Sequence, residues 1–60
     1  MTTWVVFDEK FKYFSKALEF AFKKSLDIGG KYVDIRAYQK GKPGEYIQVA
    51  YYAIRAEDRN

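Results

Sequence analysis

The chain opens on Thr2-Thr3-Trp4-Val5-Val6-Phe7, a run of β-branched and aromatic residues that predicts a first strand over residues 2–7. Asp8 follows as the expected N-cap of a helix, with Glu9 in the first turn, where negative charge suits the helix dipole. From residue 9 to about residue 28, Phe11, Phe14, Leu18, Ala21, Phe22 and Ser25 recur at spacings of three and four, which predicts a helix with those residues as its core stripe. Gly29-Gly30 ends it, because glycine accepts the left-handed cap conformation. Residues 31–40 then alternate, with Val33, Ile35 and Ala37 on one side and Tyr32, Asp34, Arg36 and Tyr38 on the other, as a second strand. Lys42-Pro43-Gly44-Glu45 suits a type II turn into a third strand over residues 45–56, and residues 57–60 read as a frayed tail.

These elements predict a single α+β domain over residues 1–60 with the order β-α-β-β. One helix packs on one face of a three-stranded, mostly antiparallel sheet, because one apolar stripe must be buried against it. The long third strand is the expected centre, giving spatial order 1-3-2; order 1-2-3, with the first two strands as parallel neighbours, is the alternative.

Alternation assigns Val5, Phe7, Val33, Ile35, Ala37, Ile47, Val49, Tyr51 and Ala53 to the helix side. Trp4, Val6, Tyr32, Asp34, Arg36, Tyr38, Tyr46, Gln48, Ala50, Tyr52 and Ile54 then fall on the open side. A bulge near Tyr51-Tyr52 would swap the two sets beyond Ala50. An open face this rich in rings is the kind of surface that marks a contact site. On the helix, Tyr13, Ala17 and Phe20 fall away from the core stripe, beside Lys24, and give a second apolar flank in need of a neighbour.

Length and composition sharpen this. A chain of 60 residues is only marginally stable by burial alone, and the absence of Cys and His removes disulfides and the commonest zinc ligands. Association is the remaining source of stability. The net charge of +3 is uneven: residues 10–44 hold nine bases against three acids, and the two ends are acidic. A basic middle fits either a solvated surface or an anionic partner. The first residues carry no Lys or Arg and their apolar run stops at Asp8, unlike a secretory signal. No stretch reaches the ~20 apolar residues of a membrane span, so a cytoplasmic protein without a membrane partner is expected.

Catalytic groups are sparse. Without His or Cys, Ser15 and Ser25 have no obvious activating base, and the carboxylates Asp8, Glu9, Asp34, Glu45, Glu57 and Asp58 are scattered. Gly29-Gly30-Lys31 leaves a helix and enters a strand, the reverse of a phosphate loop. No enzyme activity, cofactor, metal or small-molecule substrate is expected. The reading is a homodimeric interaction protein that binds and regulates or inhibits a larger protein, a role common among small phage-encoded accessory proteins. Its expected anchors are Trp4, Tyr13, Phe20, Arg36, Tyr38, Tyr46 and Tyr52. The alternative is nucleic-acid binding, either with bases stacked on Tyr32, Tyr38, Tyr46 and Tyr52 beside Arg36 and phosphates met by Lys31, Lys40 and Lys42, or through the lysines of the helix.

Overall fold

In the computed structural model, which describes residues 1–59, the elements are β1 (Thr2–Val6), β2 (Glu9–Phe11), α1 (Phe14–Asp27), β3 (Val33–Lys40) and β4 (Tyr46–Ile54), followed by a 3-10 turn at Ala56–Asp58. The protein is a small α+β domain, as its patterning predicts, with four strands where three were expected. The extra strand lies in the segment assigned to the start of the helix. Phe7 adopts φ 52, and Val6 pairs with Glu9 across the two-residue turn Phe7-Asp8. A positive φ at the first turn residue is the habit of type II′ turns, where glycine is usual. Asp8 is therefore a turn residue and caps nothing. The helix begins five residues later than expected, with Tyr13 at its N-cap and no side-chain cap hydrogen bond.

The sheet order is β2-β1-β3-β4, and every pair is antiparallel. This corrects the expected central place of the long third strand: β4 lies at the edge. The order of the three predicted strands is 1-2-3, but β1 and β3 are antiparallel neighbours. The reason is β2, which reverses the chain once more before the helix, so α1 carries the chain over β1 to its other side, where β3 runs opposite to β1.

The expected ends of the hairpin and helix are observed. Glu45 N–H donates to Lys42 C=O at 2.8 Å and Gly44 has φ 82, closing the β3–β4 turn. At the helix C-terminus, Gly30 N–H donates to Ser25 C=O at 2.7 Å and Gly29 N–H to Leu26 C=O at 3.2 Å, the paired bonds of a Schellman motif. The expected frayed tail instead carries the 3-10 turn, held by Arg55 N–H donating to Asp58 Oδ2 at 2.9 Å; Asn60 lies outside the described residues.

The core is small because it is built from small residues. Val6, Ala17, Ala21, Val33, Ile35 and Ala37 are its buried apolar side chains, and half of these are alanine. Ala17, Ala21 and Ser25, at four-residue spacing, are the part of the helix pressed onto the sheet, so the stripe is rotated from the one expected. Leu18 and Phe20 pack around this seam only partly buried. Ser25, fully buried, donates its hydroxyl to Lys31 C=O at 2.6 Å and accepts Ala56 N–H at 2.8 Å. One oxygen thus joins the helix end, the approach to β3 and the exit from β4.

Candidate interaction surface

Cross-strand register shows which side chains share each face, because directly opposite residues point the same way. On β3 the expected assignment holds: Val33, Ile35 and Ala37 are buried, and Asp34 and Arg36 are exposed. On β1 it is inverted. Val6 is buried and Trp4 packs on the core, while Val5 and Phe7 line the opposite side. Starting the strand at Thr2 gave no signal of parity, since both sets are apolar.

On β4 the register slips between Ala37 and Tyr38, so that Ala37 pairs with Ala50, Tyr38 pairs with Gln48, and Val49 is the extra residue. This bulge, placed by the sequence pattern near Tyr51-Tyr52, lies slightly earlier. Beyond it Tyr52 pairs with Ile35 and shares the helix side, whereas Tyr51 pairs with Arg36 on the open side. Trp4, Val6, Ala50, Tyr52 and Ile54 therefore leave the open face to which alternation assigned them. Tyr51 and Ala53 take their place.

What remains on the open face is smaller and more polar. Lys10, Val5, Arg36 and Tyr51 form one cross-strand row, and Thr3, Tyr38 and Gln48 form the next. Lys40 and Tyr46 pair beyond them. A hollow of about 280 Å³ lies among Thr3, Val5, Lys10, Tyr38 and Tyr46. A second, of about 210 Å³, is lined by Val5, Phe7, Ile28, Tyr32, Val33, Asp34 and Arg36. Asp34 is partly neutralised there: Tyr51 donates its hydroxyl to Oδ1 at 2.9 Å and the Arg36 guanidinium stands 3.9 Å from Oδ2. The hydrogen bond to Asp34, and then the charge of that carboxylate, push the Tyr51 hydroxyl above its ordinary pKa.

The expected anchors divide into two groups. Arg36, Tyr38 and Tyr46 are gathered on the open face. Trp4 and Tyr52 sit on the helix side with Phe14, at ring distances of 4.7 Å for Trp4–Phe14, 5.5 Å for Phe14–Tyr52 and 6.4 Å for Trp4–Tyr52. Phe20 is not a free anchor, because β2 brings Phe11 to 5.3 Å from its ring. Ala17, assigned to the same flank, is fully buried. Tyr13 remains exposed at the helix N-cap. Of the nucleic-acid set, Lys40 joins Arg36, Tyr38 and Tyr46, while Tyr32 lies under the Arg55 guanidinium at 4.7 Å. Lys42 lies in the β3–β4 turn and Lys31 precedes β3, apart from that group. Lys10 belongs to the open face, although the helical pattern claims it, and no glycine at Phe7-Asp8 signals the turn before it.

The helix crosses β1 and β3 and scarcely reaches β4. Tyr46, Ile47, Val49, Tyr51 and Tyr52 are 64, 50, 49, 54 and 47% exposed, in one uncharged strand of nine residues. Among the described residues, no three His, Cys, Asp or Glu side chains gather to hold a metal ion, and no helix is long and apolar enough to cross a membrane. No protein-family model, curated protein or solved structure matches the chain.

Proposed function

We propose that this is a small cytoplasmic interaction protein, without catalytic activity, that forms a homodimer and regulates or inhibits a larger protein by binding it. The observation that carries this reading is the half-exposure of five large side chains along β4, beside a core built largely from alanine and valine. Exposed apolar area of this kind on so small a domain supports contact with another chain. Arg36, Tyr38 and Tyr46 are the side chains assigned to the partner, since Tyr and Arg dominate interface energy and these three share one face.

A second reading, single-stranded nucleic acid on the same face, is supported by Lys10 and Lys40 beside Tyr38 and Tyr46. One experiment separates the two. The wild type and a Tyr38→Ala/Tyr46→Ala variant are used to capture binders from the native host, and labelled oligonucleotides are titrated at two salt concentrations. A protein captured by the wild type and lost with the variant supports the first reading. Oligonucleotide binding that weakens steeply with salt, with no captured protein, overturns it in favour of the second.

A further inference from the structure

We infer that β4 is the dimer seam: the segment Ala50–Ile54 pairs antiparallel with the same segment of a second copy, centred on Tyr52, to make one continuous eight-stranded sheet. This rests on the homodimer in the proposed function and specifies its geometry.

The two edges of the sheet differ in what they offer another strand. The β2 edge is three residues long and carries Glu9 and Lys10, the kind of short, charged edge that resists pairing. The β4 edge is nine residues long with no charged side chain and no proline, and among the described residues its only strand partner is β3. Its outward backbone groups are a template for a further strand.

Symmetry and the bulge select the register. A two-fold axis perpendicular to the sheet places one residue opposite its own copy and keeps both helices on the same side. Faces stay matched only where the paired segment is uninterrupted, so pairing must avoid the extra residue Val49. Centring on Tyr52 uses all five residues beyond the bulge. Ala50 then meets Ile54 of the other copy on the helix side, and Tyr51 meets Ala53 on the open side. Off the axis, each large side chain faces a small one. At the axis Tyr52 meets Tyr52, which joins the Trp4–Phe14–Tyr52 clusters of the two copies. Centring on Ala53 would instead set Tyr51 against Arg55, and centring on Ala50 would run both strands through their bulges.

Nothing charged opposes this pairing. The first charged residue past the strand, Arg55, already stacks on Tyr32 at 4.7 Å and pairs with Glu57 at 2.6 Å. A second copy is therefore the occupant whose side chains this edge already complements.

The absence of native cysteine makes disulfide trapping a clean test. Solution mass is measured against concentration, and single cysteines are introduced in otherwise wild-type chains. Tyr52→Cys should oxidise readily to a covalent dimer, since directly opposite Cβ atoms lie about 4.5–5.5 Å apart. Tyr51→Cys and Ala53→Cys, both at exposed positions, should cross-link when mixed, roughly tenfold faster than either alone, because diagonal neighbours are about 7–8 Å apart. Glu9→Cys on the other edge and Tyr46→Cys on the open face should dimerise without forming a covalent cross-link. A dimer that is trapped through Tyr46→Cys and not through residues 51–53 overturns the β4 seam but leaves the homodimer standing. A monomeric mass at every concentration overturns both, and leaves β4 to a strand of some other chain.

Discussion

The two ends of the sheet are built from opposite materials. At one end, β2 is short and charged, and its Phe11 ring lies 5.3 Å from Phe20 on the helix. At the other, β4 is three times as long, uncharged, and half-exposed on both faces. A domain limited by a small core has closed one edge and left the other open. On β4 only Tyr52 meets such rings, those of Trp4 and Phe14, and Tyr46, Ile47, Val49 and Tyr51 stay about half-exposed. The lesson is that, among the strands, exposed large apolar side chains gather on β4, while the others, such as Phe7, Leu26 and Tyr32, lie in connecting segments and on the helix.

The contrast can be broken first at the core. Ile35→Ala, at a fully buried position under the helix, should cost about 2–5 kcal/mol, whereas Val49→Ala on the bulge should cost under about 1 kcal/mol in urea denaturation. Comparable losses at the two sites would show that β4 is as well packed as β3. Next in size, Phe11→Ala should cost about 1–3 kcal/mol by removing the ring that seals β2. Amide exchange should quicken in β1 and β2 while β4 is unchanged; a uniform increase would mean that β2 does not open separately. Deleting Val49 should then change stability by less than about 1 kcal/mol, because the ladder closes with Ala37–Ala50 and Tyr38–Gln48 pairs intact and every face preserved. Nuclear Overhauser contacts across β3 and β4 would reveal any flip of Tyr51 or Tyr52.

The smallest effect concerns Tyr51. Its raised pKa means that the neutral hydroxyl is favoured by the fold, through its hydrogen bond to Asp34. That contribution is present below the ordinary tyrosine value of 10.0 and is lost as pH rises through the higher folded value. Tyr51→Phe should remove a component that ionises above the ordinary tyrosine value from an ultraviolet titration and, because the hydroxyl is exposed, lower stability at neutral pH only slightly. Loss of a component that titrates at the ordinary tyrosine value of 10.0 would place the Tyr51 hydroxyl away from Asp34.

Much of this architecture was legible in the sequence. The β1, β3 and β4 runs, the helix end at Gly29-Gly30 and the turn at Pro43-Gly44 each carry a strong local signal, and all are present. β2 was not legible, for a physical reason. Glu9-Lys10-Phe11 is too short to show alternation, and Phe11 happens to fall on the helical period with Phe14 and Leu18. The turn that frees it places Phe7 at positive φ, where a glycine would have announced itself. From this one missed strand follow the wrong neighbour for β1, the rotated helix stripe and the mistaken freedom of Phe20. The surface was legible in part: β3 alternates cleanly and places Arg36 and Tyr38 correctly. The faces of β1 and of β4 beyond Val49 depend on parity, and a single extra residue reverses it.

Ser25 carries a consequence for how the molecule opens. Its one oxygen is a shared clasp between two ends that lie 25 residues apart along the chain, Lys31 before β3 and Ala56 after β4. Breathing at either end leaves Ser25 with one bond and loosens its hold on the other, so these two regions should exchange with solvent in concert, as a single hinge line, while the hairpin tip moves on its own clock.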